Sequence, residues 1–469
     1  MKDENNLSLD TVYKTVEELL EKAKTANNMR VGDLIHDFKF NKMLGKGQIG
    51  QIVEEELFGY KNNSKKEADF SNLGVELKVT GLIERKNKSL AMKERLVLNI
   101  INYYEEANVE FLNSSFWKKN AKLLIMFYHF KDKNEDFKNF RFLDSILHTF
   151  DEKDLEIIKN DYQIIQDKIN SGRAHEISEA DTYYLGACTK GATRESSYRK
   201  QPYSETKAPQ RAYCLKASYM NSVVEKCFGH KTIEELVSYD ELQNNTFESI
   251  IENRLKKYVG HSEKELFSYF KINDTSKDKF NLLLAKMLGI CGDINKTEEF
   301  QKAGIEAKTI RVEENGKIKE HMSFPKFSFV DIINQDFFDS DIYEIFATKK
   351  FMFSIFKKRN NEYCFEKVVF WNMPYEDIFN YVRPVFDQTK QVVASGNIVK
   401  EIKGDKYITN FIKPSFNNIC HVRPHDTASI QKTNKGDPLP VADKLTGRDR
   451  YTKHCFWLDS SYIKSVIKC

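Results

Sequence analysis

The chain has 469 residues, long enough for two or more domains with a sizeable core in each, and its 41% hydrophobic and 30% charged residues make an ordinary soluble balance. With no run of eighteen apolar residues, no transmembrane helix is expected, and the acidic, polar opening "MKDENNLSLD" argues against a secretory signal. A formal net charge of +4 permits nucleic-acid binding only where basic residues cluster, because phosphate contacts need a local field. The eight cysteines are scattered singly, with no C-x-x-C pair and no Cys/His quartet at zinc spacing. Isolated thiols suit a reducing cytoplasm, which is the expected location.

The first patterned element is "LGKGQIGQIVEEELFG", where Gly45, Gly47 and Gly50 have the G-x-G-x-x-G spacing of a phosphate loop. A dinucleotide fold needs a buried strand before the first glycine, and "HDFKFNKM" is too polar to supply it. A Walker loop needs Lys-Ser or Lys-Thr after the last glycine, where this chain has Gln51-Ile52. A kinase needs H-R-D and D-F-G strings, which do not occur. The spacing predicts instead a turn feeding an amphipathic helix over Ile49–Leu57, with Ile49, Ile52, Val53 and Leu57 on one face and Gly59 ending it.

Next comes "KKEADFSNLGVELKVTGL", in which Val75, Leu77 and Val79 alternate with Glu76, Lys78 and Thr80. That period of two predicts a half-buried strand, with Glu76 and Lys78 on one face and Asp69 arriving from the preceding loop. Two carboxylates and an ammonium in one place suit metal-dependent phosphodiester hydrolysis. The carboxylates hold Mg²⁺ through oxygen, the metal polarises the phosphate, and the lysine stabilises developing negative charge. Taken alone the pattern is not specific, since Glu84-Arg85-Lys86 and Glu401-Ile402-Lys403 are also E-x-K triplets.

The whole stretch from Lys46 to Leu82 closely resembles the active-site region of the MutH family. That family comprises the GATC-nicking endonuclease of mismatch repair and a set of GATC-cutting type II restriction endonucleases. The strings "SKKEADFSNLGVELK", "KERLVLNIINY", "YLGACTKGA" and "QPYSETKAPQRAYCLKASYM" look like the restriction branch. The resemblance implies a restriction-endonuclease-like α/β fold, a mixed sheet flanked by helices. It implies Asp69, Glu76 and Lys78 as the metal-binding and catalytic triplet, Glu54 as a third carboxylate and metal ligand, and Lys119 as an additional catalytic lysine. The implied cofactor is Mg²⁺ and the implied partner is double-stranded DNA containing GATC, with a cognate DNA methyltransferase as genetic partner.

An internal repeat sets the expected architecture. At a constant offset of about 230, "GVELKVTGL" falls on "GIEAKTIRV", so that Glu76 meets Glu306 and Lys78 meets Lys308. "RAYCLKASYMNSVV" reappears as "KHCFWLDSSYIKSVI" at the C-terminus. Two tandem modules are expected, residues 1–230 and 231–469. In the second, Leu284 replaces Glu54, Glu299 replaces Asp69, and Lys119 falls near Ala347 or Thr348, which supply no ammonium. This module is expected not to cut.

The second module has "NICHVRPHDTA", with Arg423 and His425 where the first has Cys188 and Lys190. The repair enzyme of the family carries a base-reading arginine-proline pair at that place, and an arginine fork can bond guanine O6 and N7 together. In the first module Lys46, Lys190, Arg194, Arg211 and Lys216 are expected to contact DNA, with Arg199, Lys200, Lys207 and several tyrosines in the same basic, aromatic stretch. Three readings follow: a Mg²⁺-dependent restriction endonuclease, a mismatch-repair nicking enzyme, and a non-cleaving DNA-binding regulator. The expected state in solution is a monomer that can pair on DNA.

Overall fold

The computed structural model describes residues 13–36, 47–60, 67–85, 87–132, 134–190, 197–229, 233–273, 279–404, 406–425 and 436–468. Lys46 and Arg194 lie outside the described residues. The chain divides into two compact units, residues 1–247 with 301–303, and residues 248–300 with 304–469. Both are mixed α/β, with sheets flanked by helices.

The main sheet of the first unit contains β1 (Glu76–Glu84), β2 (Leu90–Met92), β4 (Lys122–His129) and β5 (Arg141–Thr149), in the order β2-β1-β4-β5. β1 runs parallel to β4, and the β1–β2 and β4–β5 pairs are antiparallel. From Leu123 to Phe127 every side chain of β4 is fully buried, the unbroken apolar run of a strand covered on both faces. β2 pairs only with Leu82–Glu84, so among the described residues the first half of β1 has a strand neighbour on the β4 side alone. Glu76 and Lys78 stand on that half.

A second sheet of this unit joins β3 (Leu96–Ile100), β6 (Leu185–Thr189) and β9 (Arg211–Leu215), with β9 in the centre. A hairpin, β7 (Tyr198–Gln201) and β8 (Ser204–Pro209), precedes β9.

The second unit uses the same strand directions. β10 (Ile305–Val312) is parallel to β12 (Lys350–Arg359), which is antiparallel to β13 (Glu362–Trp371). β11 (Met322–Lys326) and β16 (Cys420–Pro424) flank a central β19 (His454–Leu458). Two short pairs complete the unit, β14 (Val399–Lys403) with β15 (Lys406–Thr409) and β17 (Asp437–Pro438) with β18 (Arg450–Tyr451). Met322, Phe324, Cys420, Val422, Phe456 and Leu458 enter the core from one face of the β11-β19-β16 sheet. The ladder therefore sets Ser323, Trp457, His421 and Arg423 on the other face.

Candidate active site

The expected helix forms with a change of winding inside it. Gly47, at φ +116°, caps helix Gln48–Ile52, which continues as one π-helical turn over Val53–Leu57. Ile52, Val53 and Leu57 pack on Phe70, Val75 and Leu77 of the core, and Gly59 leaves the helix at φ +75°. The wide turn is held by an i→i+5 bond in which Phe58 N donates to Val53 O at 3.2 Å. Single π turns recur at functional sites because they re-aim one side chain. Here the turn carries Glu54.

β1 alternates as expected: Val75 and Leu77 are in the core, with Val79 packed against it, and Glu76 and Lys78 lie on the opposite face. Yet Glu76 is only 3% exposed, so that face is covered rather than solvated. The Lys78 ammonium donates to Glu76 Oε1 at 2.7 Å, and Lys119 Nζ lies 3.5 Å from the same oxygen. Lys119 reaches it from helix Ser115–Asn120, just ahead of β4. Asp69 N donates to Glu76 Oε2 at 3.2 Å, while Asp69 Oδ2 accepts from Leu77 N at 3.0 Å. The five expected residues Glu54, Asp69, Glu76, Lys78 and Lys119 thus form one electrostatic cluster.

Its charge balance is unusual. Burial first, then the charge of Asp69, pushes Glu54 up to about 7, although Lys78 pulls it down. Burial and the Glu76 charge raise Asp69 to about 6 against the Leu77 amide and the two lysines. Glu54 Oε2 is buried with no hydrogen-bond partner among the described residues. Three carboxylates, one with an orphaned oxygen, fit a hard divalent cation better than they fit each other.

One neighbour escaped the sequence reading. The Tyr60 hydroxyl is buried without a partner among the described residues, and burial together with Asp69, Glu54 and Glu76 raises its pKa, so it is a neutral phenol. Its only signal was its place one residue past Gly59.

Two expected DNA contacts are corrected. Arg211 and Lys216 are each 2% exposed, so neither side chain reaches a ligand on the surface. Arg211 Nη1 donates to Ala187 O at 2.8 Å, and Lys216 Nζ donates to Thr182 O. They satisfy backbone carbonyls, that of Ala187 within β6 and that of Thr182 ahead of it, as buried cations must. Tyr213 is likewise buried. Arg199, Lys200 and Lys207 are exposed on the β7–β8 hairpin, and Lys190 is half-buried beyond β6.

In the second unit Lys308 Nζ lies 2.6 Å from Glu306 Oε1, repeating the Lys78–Glu76 pair. Leu284 is a buried core residue of helix Lys279–Met287, and Glu299 is buried on helix Glu298–Ala303 rather than in a loop. The expectation that no second ammonium exists here is overturned, because Lys349 Nζ lies 3.3 Å from Glu306 Oε2. Burial pushes Glu306 up, but bonds and charge from Lys308 and Lys349 outweigh it and hold its pKa low. Arg423 is half-buried on β16, and His425, just past the strand, is exposed.

The fold is that of a restriction-endonuclease-like nuclease, and residues 58–161, which include Asp69, Glu76, Lys78 and Lys119, match the family described as DNA mismatch repair enzyme MutH. The chain is 34% identical over 455 residues to the type II restriction enzyme Sau3AI of Staphylococcus aureus, covering 90% of this chain and 92% of that protein. The DNA mismatch repair protein MutH of Shewanella woodyi is 25% identical over 222 residues, 46% of this chain and 94% of its own. The MutH of Actinobacillus pleuropneumoniae is 40% identical over 76 residues, 15% of this chain and 33% of its own. The chain belongs to the MutH family of DNA endonucleases, together with its type II restriction enzymes. It is thus a DNA endonuclease that binds double-stranded DNA. Among the described residues no helix is long and apolar enough to cross a membrane.

Proposed function

We propose that the protein is a Mg²⁺-dependent type II restriction endonuclease cutting double-stranded DNA at GATC, with the active site in residues 1–230. The observation that carries this reading is the orphaned, buried Glu54 Oε2 in a cluster with Asp69 and Glu76. Glu54, Asp69 and Glu76 would hold the ion. When bound, Mg²⁺ polarises the scissile phosphate and makes a water acidic enough to act as nucleophile. Glu76 anchors the Lys78 and Lys119 ammonium groups, which face the charge that develops on the phosphate. Tyr60 closes the pocket as a neutral donor.

The module of residues 231–469 binds DNA without cutting it, as a second clamp or an effector. One carboxylate with two lysines carries net positive charge, and such a set repels a divalent cation. Arg423 and His425 would read DNA there, and Lys46, Lys190, Arg194 and the β7–β8 hairpin would grip it in the first module. The likeness to Sau3AI along 90% of the chain favours restriction over repair nicking, and the intact carboxylates disfavour a non-cleaving regulator. The protein works in the cytoplasm beside a methyltransferase that protects the host sites, as a monomer that pairs on DNA. Digesting methylated and unmethylated plasmid with Mg²⁺ or with chelator, then sequencing the ends, tests the reading. Ends that do not fall at GATC would overturn the specificity, and cleavage in chelator would overturn the metal.

A further inference from the structure

We propose that His321, His421 and Asp459 form a transition-metal site in the second unit, suited to Zn²⁺ and separate from the carboxylate cluster. One ligand atom from each of these three residues lies within 4.8 Å of the others. They come from three neighbouring strands: His321 precedes β11, His421 is on β16, and Asp459 follows β19. Sheet pairing therefore fixes their spacing, independent of any loop.

The polar groups of this corner suit a cation. His421 is fully buried, and both its ring nitrogens have no hydrogen-bond partner among the described residues. Its ring meets that of His321 edge to face, with centroids 4.9 Å apart. Ser460 N donates to His321 Nδ1 at 3.1 Å, which makes that nitrogen an acceptor. Asp459 Oδ2 nevertheless lies 3.3 Å from the same nitrogen. A proton on Nδ1 or a metal ion between the two atoms would balance them, and a metal ion would take the place of Ser460 N on that nitrogen. The separation matches the edge, about 3.3–3.5 Å, of a tetrahedron with metal–ligand bonds of about 2.0–2.1 Å. A small rotation of the rings closes the longer gap.

The carboxylate is already oriented for the task. Asp459 Oδ1 accepts from Ser461 N at 2.8 Å and from Ser461 Oγ at 2.7 Å, capping helix Ser460–Ile467 and leaving Oδ2 for the cluster. Such outer bonds are what aim a metal ligand. Two imidazoles and a carboxylate with open positions suit Zn²⁺ or Co²⁺ and not Mg²⁺, which prefers oxygen.

Among the described residues the first unit has no counterpart. Aligned on the central-strand leucines Leu215 and Leu458, the same ladder positions carry Arg95, Gly186 and Lys216. Three non-ligating residues there are three ligating ones here. A bound ion would clamp β16, the strand that carries Arg423, to β19 and to β11 beyond it.

The test is a titration of the full-length protein with Co²⁺, in excess Mg²⁺, read by visible d–d absorption and equilibrium dialysis. A Glu76→Ala background removes binding at the other cluster. The expected result is a single tight equivalent with the intense bands of a low-coordinate nitrogen site, displaced by Zn²⁺. His321→Gln and Asp459→Asn, which keep side-chain size and the helix cap, should weaken binding about 10–100-fold. Their thermal midpoints without metal report whether each variant is folded. Absence of the bands in the wild-type chain would overturn the proposal, as would full binding by both variants.

Discussion

Lys349 Nζ and Glu306 Oε2 lie 3.3 Å apart, so the second unit holds two ammonium groups on one carboxylate where the first holds two on a cluster of three. Lys349 sits two residues before Phe351, the ladder partner of Glu306, whereas Lys119 sits four before Leu123, the partner of Glu76. The same charge is delivered from a shortened approach. The difference between the units is in the acids, and the lysines are common to both.

If that difference decides catalysis, Glu306→Ala in the full chain should leave Mg²⁺-dependent cleavage unchanged, and Glu76→Ala should abolish it. Single-turnover cleavage of a duplex with one GATC measures both. Loss of cleavage in the Glu306 variant would show that the second unit takes part in the chemistry.

Lys78→Ala removes an ammonium 2.7 Å from Glu76 and should lower the cleavage rate by about 10²–10³-fold, as loss of one charge-stabilising donor does. Affinity for DNA in Ca²⁺ should survive, because most phosphate contacts lie elsewhere. The check is a rate and a filter-binding isotherm on the same preparation. A parallel fall in affinity would make the lysine a DNA contact.

The raised acids predict a pH dependence. Glu54, near 7, and Asp69, near 6, keep protons that the unfolded chain has released at its ordinary carboxylate pKa. Their contribution to metal-free stability is therefore fully present below about pH 4 and is lost as pH rises toward about 7. Mg²⁺ competes with those protons, so its rise in thermal midpoint should be small at about pH 5.5 and large at about pH 8. Glu54→Gln should flatten the difference. Equal Mg²⁺ shifts at both pH values would mean that the ion binds elsewhere.

The basic residues should separate into two classes. Arg199→Ala, Lys200→Ala and Lys207→Ala, on the exposed hairpin, should each reduce the salt dependence of DNA affinity by about one unit of slope for every phosphate left unneutralised. Arg211→Met should leave that slope intact and destabilise the fold by about 1–3 kcal/mol, because Ala187 O loses its donor. Urea unfolding and binding at several salt concentrations distinguish them.

If Arg423 reads a base, Arg423→Ala should cost about 1–3 kcal/mol at the site of the second module. Cleavage of one-site DNA by the wild-type chain should be stimulated by added GATC oligonucleotide, and the variant should lose the stimulation. No stimulation of the wild type would leave the second module as a clamp on the same duplex.

Much of the first site was legible in order along the chain. Alternation of Val75, Leu77 and Val79 gave the strand, because one face of it packs on the core. The helix carrying Glu54 was legible from Ile52, Val53 and Leu57, but its π turn was not, since a single extra residue per turn barely alters an apolar pattern. Lys119 was reached through resemblance, and its sequence neighbour Lys118 looks the same until the helix turns one of them toward Glu76. Lys349 stands 230 residues after Lys119, the offset that also separates Glu76 from Glu306, and was missed because Lys119 was placed one or two residues too early, near Ala347 or Thr348. Arg211 and Lys216 were misread because charge marks the surface only where backbone carbonyls inside are already satisfied.

The first half of β1 pairs with β4 on one side and has no β2 residue on the other. A strand edge without a partner strand invites the edge of a second molecule, and natural sheets guard it with charge or by occupying its amides. Here Asp69 takes the Leu77 amide, and the Lys78 and Glu76 charges stand beside it. The residues proposed to handle the phosphodiester therefore also occupy this edge of β1. Changing all three together would strip that edge of its side-chain partners, so an inactive form is better made by changing one residue than by changing all three.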